Sequence, residues 1–459
     1  MRYLSLMFLG YWLSLLSLVG VVSSSARGEG DKLEPPTVLI AVILRNKAHV
    51  LPYFFGYLEQ QSYPKSRISL WIYTDHNVDQ TPEMVDTWAE AVSSEYHNVN
   101  VTSEDGDAFF PDEEGSQKWT AQRYWHVIRL REEAIQVART LWADFIFFLD
   151  GDALLSNPKT IQDLVEENRT IIAPMLDSRS AYSNFWCGMN EKGYYERTDE
   201  YMPILEKEKV GVFPVVMVHS ATLINLNHAD SRKLTYHPEK LEGYTGPIDD
   251  VITFAHSAKF AAVEMFISNK DQYGHILAPT ESPAREAEEL LNLKLDVTVD
   301  GDPLLISPAL QSFMVPLRKD TLGFDQVYLI NLERRPERRK RMEYCFEELG
   351  VAFKFIAAVD GKTSFHWGHL VTPPLSFHKH RFSLPFYHTQ AVILQPGLCQ
   401  RYAIVIIASS SDNSDHAFIV ILSPSWSFHH RHSSFVIWLL SAVVVTPSPP
   451  HSLCDTVAL

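Results

Sequence analysis

Between residues 38 and 102 short β-branched runs alternate with amphipathic stretches, and this alternation limits the possible folds more than any other feature of the chain. It predicts a strand over 38–44, a helix over about 48–61, a strand over 68–74, a helix over about 82–94 and a strand over 99–102. A βαβα order of this kind implies an α/β fold, with a mostly parallel, Rossmann-like sheet covered by helices. A long helix over about 121–142 then delivers Phe145-Ile146-Phe147-Phe148-Leu149, a continuous apolar run typical of a buried central strand. In open α/β sheets ligands bind beyond the carboxyl ends of the strands, so the residues after each strand are where chemistry is expected.

Asp150-Gly151-Asp152 follows the apolar run directly. Two carboxylates at the mouth of a buried strand are costly unless something compensates them. A divalent cation held by both would neutralise the diphosphate that leaves when a sugar is transferred from a nucleotide. Gly151 allows a tight turn and close phosphate approach. Asp-x-Asp also recurs by chance, here as Asp105-Gly106-Asp107 and Asp300-Gly301-Asp302, but only Asp150 and Asp152 follow five apolar residues. The competing reading is a capping turn ahead of a helix at Thr160.

Other polar groups sit at the same edge. Arg45 and Asn46 close the first strand and can reach a diphosphate or ribose, with a helix start nearby to help bind anions. Asp75-His76-Asn77-Val78-Asp79 close the second strand, where Asp75 and Asp79 suit a nucleoside or else form an Asx-rich turn. His219, between apolar segments, either completes a metal shell or is a satisfied structural histidine. Asp249 and Asp250 precede a helical run over 251–259 and either cap it or act on an acceptor hydroxyl as general base.

Composition narrows the class. The formal net charge of −16 and the lack of a dominant basic stripe argue against nucleic acid as a partner. The dense basic run at Arg334-Arg335 and Arg338-Arg339-Lys340 alternates with glutamates, as a solvated helix face does. Cys187, Cys345, Cys399 and Cys454 are too widely spaced for a disulfide framework or a zinc site. Arg2, the apolar run from Tyr3 to Val22 and the small residues ending at Ala26 predict a signal peptide over 1–26. An uncleaved anchor is the alternative, and only then is the membrane a partner. Sequons at Asn100 and Asn168 are compatible with a lumenal location.

The catalytic unit is expected over 35–277. Prolines break the pattern over 278–322, which reads as a linker with a charged helix over about 285–293. A second βαβ unit opens over 323–362, with a strand at 327–331, a helix at 336–349 and a strand at 353–357. Beyond Lys362 no glutamate occurs and ten of the 19 histidines crowd together, so 363–459 is expected to be a divergent, unstructured tail.

These residues resemble the procollagen galactosyltransferases and their relatives in glycosyltransferase family 25. The matching stretches are Ala41-Val42-Ile43-Leu44-Arg45-Asn46, Thr74-Asp75-His76-Asn77-Val78-Asp79, Ala173-Pro174-Met175-Leu176-Asp177-Ser178, Tyr182-Ser183-Asn184-Phe185-Trp186-Cys187-Gly188, Met217-Val218-His219-Ser220 and Asp249-Asp250. Gly323-Phe324-Asp325, Ile330-Asn331-Leu332-Glu333-Arg334-Arg335 and Ala358-Val359-Asp360-Gly361-Lys362 look like the opening of that family's second domain. The resemblance covers about 37–362. It implies tandem GT-A-type domains, UDP-galactose as donor, Mn2+ as cofactor, hydroxylysine of collagen as acceptor and the endoplasmic reticulum lumen as location. It also implies an acidic motif in the second domain and a retention tetrapeptide at the end, neither of which this sequence contains. The second domain is therefore expected to be truncated, leaving open whether the chain transfers sugar or is a non-catalytic adhesion or collagen-binding protein on the same scaffold.

Overall fold

In the computed structural model of the chain, the described residues are 34–104, 106–115, 118–179, 182–190, 192–196, 198–280, 282–322, 327–358, 404–411 and 414–421. The signal segment, the motifs at 323–325 and 359–362, and most of the tail lie outside them. The alternating pattern folds as β1 (Val38–Leu44), α1 (Leu51–Glu59), β2 (Ile68–Thr74), α2 (Thr81–Val92), β3 (Asn98–Ser103), α3 (Ala121–Thr140) and β4 (Phe145–Leu149). Strands β1, β2 and β4 match the predicted ranges residue for residue. Then come β5 (Ala153–Leu154), α4 (Thr160–Glu166), β6 (Ile171–Pro174), β7 (Phe185–Trp186), α5 (Tyr201–Leu205), β8 (Val212–Val215), β9 (Met217–Val218), β10 (Ala221–Asn225), α6 (Asp250–Phe260), β11 (Met265–Ser268) and β12 (His275–Ile276).

The main sheet has eight strands in the order β3-β2-β1-β4-β10-β6-β11-β8. Pairing is parallel from β3 to β4 and between β6 and β11, while β10 and β8 run antiparallel to their neighbours. The protein is therefore α/β with a mostly parallel central sheet. Side chains one residue apart on a strand point to opposite faces, and the core divides accordingly. Ile40, Val42, Ile72 and Phe147 pack on one face with α1 and α2; Leu39, Ala41, Trp71 and Phe148 pack on the other with α3 and α6. Both faces are buried, which is why the strand sequences are continuously apolar rather than alternating.

Within 278–322, expected to form a linker, residues 283–314 pack on the first core. Their helix, α7 (Pro283–Asp300), is twice the expected length, capped by Ser282 and started by Pro283. Leu290, Leu293, Leu304 and Leu310 are buried in the same cluster as α1 and α2. Ser307 N donates to Pro52 O at 2.8 Å, and Glu59 accepts from both Ser307 Oγ and Trp88 Nε1. The prolines break helix periodicity without breaking the domain: they shape a segment that lies across α1.

The second unit consists of β13 (Tyr328–Leu332), α8 (Pro336–Glu348) and β14 (Lys354–Ala358), with parallel strands and a small core of Val327, Leu329, Met342, Phe346 and Val351. It leans on α7 through an ion pair between Lys294 and Glu348 and a bond from Arg341 to Val299 O. Within the stretch expected to be unstructured, β15 (Ile404–Ser411) and β16 (Ser414–Ile421) pair antiparallel.

Gly56 gives a direct check on the packing of the 304–310 segment. A Cβ there would lie 2.6 Å from Leu305 O and 2.8 Å from Ser307 N, both backbone atoms with little freedom to retreat. Gly56→Ala is expected to destabilise the domain by about 2 kcal/mol, an overpacking cost, measured by urea unfolding. An unchanged midpoint would mean that the segment does not sit on α1.

Candidate active site

Parallel strands bring their carboxyl ends to one edge, so the loops after β1, β2 and β4 meet there. They are joined by the turn before β10, which runs the opposite way. The Asp150 backbone N–H donates to Ser220 O at 2.7 Å, fixing the Asp-x-Asp turn against His219-Ser220. Ser220 adopts a left-handed φ of 63°, a strained conformation for a residue with a side chain. A Cβ on Gly151 would lie 2.7 Å from Leu44 Cδ2, so glycine lets this turn pack on β1 without displacing the buried Leu44 side chain.

Asp150 and Asp152 keep about a third of their side-chain surface exposed, at 33% and 30%. Each has one cationic ion-pair partner among the described residues: Arg131 Nη2 lies 3.4 Å from Asp150 Oδ1, and Lys47 Nζ lies 2.8 Å from Asp152 Oδ2. Both carboxylates thus retain oxygen lone pairs facing an open edge, which fits a hard divalent cation. Arg131, on α3, is buried against the rings of Phe148 and Tyr236 and bonds Asp250 Oδ2 at 2.5 Å. Burial opposes its charge, but Asp250 and Asp150 together hold its proton more tightly than usual. Lys47 behaves alike: burial is outweighed by Asp152, Glu286 and Asp150, and its pKa rises.

Of the paired carboxylates before α6, Asp249 is the helix cap, accepting from Ile252 N at 2.8 Å, and Asp250 is the buried partner of Arg131. Asp249 thus caps α6 through Oδ1, which does not commit its other oxygen. Burial first, and then the neighbouring Asp250, push the Asp249 pKa upward. Its carboxylate also meets Tyr124, whose phenol is raised to about 12 by burial and these two aspartates. His219 stands near Asp150 and Asp250; burial lowers its pKa in spite of both. Its Nδ1 lies 2.9 Å from Ser220 Oγ, and its ring faces Tyr182 at 5.9 Å.

Three residues expected at the nucleotide build the scaffold. Arg45 is committed to both oxygens of Glu113, to Ala108 O and to His76 O, which brings residues 106–115 onto the sheet edge. Asn46 and Asn77 stitch two loops together: Asn46 N donates to Asn77 Oδ1, and Val78 N to Asn46 Oδ1. Asp79 accepts from Ala48 N and Thr81 N at 3.0 Å each, as an Asx turn does. Asp75 is buried beneath two imidazoles, with His126 Nε2 at 2.5 Å and His76 Nδ1 at 3.1 Å from Oδ2. His76 has a left-handed φ of 48° and stacks on Phe110 at 3.9 Å.

Asp75, His76 and His126 place their ligand-capable atoms within 4.8 Å of one another, a second arrangement that could hold a cation. However, Arg129 Nη2 lies 3.0 Å from His126 Nδ1. A guanidinium only donates, so Nδ1 accepts and the ring proton lies on Nε2, facing Asp75. Asp75 Oδ2, His76 Nδ1 and His126 Nε2 are buried in close polar contact without an aligned hydrogen-bond partner among the described residues; burial opposes ionisation of Asp75, but His126 and His76 outweigh it and depress its pKa.

Sequence reasoning missed Lys47, Arg131 and Glu286. Lys47 stands beside two residues that were singled out, and its position after β1 was an available signal. Arg131 and Glu286 lie inside helices, with nothing local to separate them from solvated charges.

A family model described as glycosyltransferase family 25, N-terminal domain, matches residues 35–294, and one described as glycosyltransferase family 25 (LPS biosynthesis protein) matches 324–390. The first match includes the start of α7. The second passes Lys362, where the motifs place the end of the resemblance. A glycosyltransferase 25 family member from Aedes aegypti is 46% identical over 354 residues, covering 76% of this chain and 58% of the relative. Procollagen galactosyltransferase 1-A of Xenopus laevis is 47% identical, covering 72% and 54%, and procollagen galactosyltransferase 2 of Homo sapiens is 43% identical, covering 72% and 53%. The chain thus spans between half and three-fifths of the length of these curated relatives. Among solved structures, S. aureus TarS 1–349 is similar with a TM-score of 0.34 and 12% identity, over 58% of this chain and 66% of that one. The mannosyltransferase PcManGT from Pyrobaculum calidifontis, in complex with GDP-Man and Mn2+, has a TM-score of 0.32 and 16% identity, over 66% and 74%.

The buried pair at the base of the site makes a stability prediction. Arg131→Met leaves Asp250 buried without its partner, and urea unfolding is expected to show a loss of about 3 kcal/mol or more. Adding Asp250→Asn should recover a large part of that loss, because the uncompensated charge is gone. Equal stability of the single and double variants would contradict the pairing.

Proposed function

We propose that this chain, which belongs to glycosyltransferase family 25, binds UDP-galactose and Mn2+ at the carboxyl edge of a GT-A-type domain and transfers galactose to hydroxylysine of a collagen-like acceptor. The observation that carries this reading is the pair Asp150 and Asp152, open to solvent at the end of a fully buried strand. A divalent cation bound there would supply positive charge to the departing diphosphate. Procollagen galactosyltransferases among the relatives support galactose and collagen over other sugars and acceptors.

The chain's own residues divide the remaining work. Lys47, directed at the same turn, meets the diphosphate. The end of β2 lies two strand spacings from β4, about 10 Å, a distance suited to a nucleoside when the diphosphate sits at Asp150. Asp75 and His76 are the groups at that end. Asp249, with its raised pKa, takes the proton of the acceptor hydroxyl as that oxygen bonds to the anomeric carbon and UDP leaves with the bonding pair. His219 supports Asp150 and remains a candidate for the cation's shell. We place the protein in the endoplasmic reticulum lumen, on the basis of the signal-like segment and two exposed sequon asparagines. Among the described residues no helix is long and apolar enough to cross a membrane.

Calorimetry on the full chain tests the donor site. UDP-galactose is expected to bind only with Mn2+ present, and Asp150→Ala/Asp152→Ala to abolish that binding while the protein stays folded. Equal binding by the double variant would overturn the assignment.

A pH profile tests the base. A carboxyl group with a raised pKa stays protonated over a range in which an ordinary aspartate, at 3.8, has ionised. Transfer to a hydroxylysine peptide should therefore fail on acidification at a pH above that ordinary value. Asp249→Asn should remove transfer but keep UDP-galactose binding; an unaltered rate would exclude Asp249 as the base.

A further inference from the structure

Lys47 and Glu286 have no part assigned by the family resemblance, yet they complete the charge arrangement around Asp152. Lys47 Nζ lies 2.8 Å from Asp152 Oδ2 and 4.0 Å from Glu286 Oε1, with only 19% of the lysine side chain exposed. Glu286 comes from the first turn of α7, the helix that the 278–322 segment packs onto the domain, and its side chain is 20% exposed. One ammonium therefore stands among three carboxylates, those of Asp152, Glu286 and, farther away, Asp150.

We propose that Lys47 is an internal counter-ion that occupies Asp152 until a divalent cation displaces it, and that Glu286 is the partner to which it transfers. The inference rests on the reading of Asp150 and Asp152 as cation ligands. Asp152 Oδ2 cannot receive the ammonium at hydrogen-bond distance and coordinate a cation without two positive charges lying in contact. Glu286 Oε1 lies 4.0 Å from Nζ, near enough that rotation of the flexible lysine stem moves the charge from one carboxylate to the other. Burial raises the proton affinity of Glu286, an effect countered by Lys47 and reinforced by Asp152. Glu286 thus gains from receiving the ammonium when Asp152 gives it up. A displaced Lys47 also directs its charge toward a bound diphosphate, so nucleotide and cation each favour the other's binding, a reciprocal coupling through one side chain.

The test is titration of the full chain with Mn2+, followed by the electron paramagnetic resonance signal of free Mn2+ and by calorimetry, with and without UDP. Lys47→Met is expected to bind Mn2+ alone about tenfold more tightly, because a competing charge has gone from a partly screened site. It should also lose most of the gain in Mn2+ affinity that UDP gives the wild type. Lys47→Arg, which keeps the charge, should bind Mn2+ alone more weakly than Lys47→Met, which separates the loss of charge from a folding defect. Glu286→Gln should weaken Mn2+ binding in the wild-type background and have little effect in the Lys47→Met background, since it acts through the lysine. Mn2+ affinity in Lys47→Met equal to or below that of the wild type overturns the proposal. So does an equal loss from Glu286→Gln in both backgrounds, which would make Glu286 a direct ligand. Unchanged Mn2+ binding by Asp150→Ala/Asp152→Ala would instead remove the underlying reading and this inference with it.

Discussion

The guanidinium of Arg131 joins three elements that sequence alone leaves separate. It projects from α3, bonds Asp250 at the start of α6 and reaches Asp150 at the end of β4, between two aromatic rings. A buried carboxylate such as Asp250 is tolerated only with a partner of this kind. Once Arg131 is fixed, the first carboxylate of the Asp-x-Asp turn has a defined place, and so has the helix capped by Asp249. The geometry of the site is thus set from beneath, by a pair on the sheet's helical face. The open edge keeps the exposed carboxylate oxygens.

Charge balance explains the rest of the edge. Asp150, Asp152, Asp250 and Glu286 contribute four carboxylates against Arg131 and Lys47, leaving an excess that a divalent cation would remove. At the end of β2, two strands away, the accounting differs. Asp75 is in contact with two imidazoles, and Glu113 is paired with Arg45 and Arg123, whose attraction outweighs burial and keeps Glu113 ionised. The polar groups at the end of β2 are thus committed to one another, whereas the carboxylates of the Asp-x-Asp turn keep oxygens facing the open edge.

How much of this was legible follows from the range of each interaction. Strands β1, β2 and β4 are continuous apolar runs bounded by polar residues, so their limits are written locally and were read without error. The Asp-x-Asp turn was found for the same reason. Arg45 was expected at a phosphate because it closes a strand, but its partner Glu113 lies 68 residues away in a loop with no local signature. Residues 278–322 were read as a linker because five prolines interrupt them, although their leucines complete a core begun more than 200 residues earlier. Glu286 was invisible for that reason, since its helix meets the site only after the whole domain has closed.

The central claim is that the cation site of this domain is the Asp-x-Asp turn, although a second cluster of ligand-capable atoms lies at the next strand end but one. Crystals of the full chain grown with Mn2+ and UDP, measured at the manganese absorption edge, separate the two directly. One anomalous peak is expected between the carboxylates of Asp150 and Asp152, with Lys47 withdrawn from Asp152. A peak bounded by Asp75, His76 and His126, with none at the Asp-x-Asp turn, would contradict it.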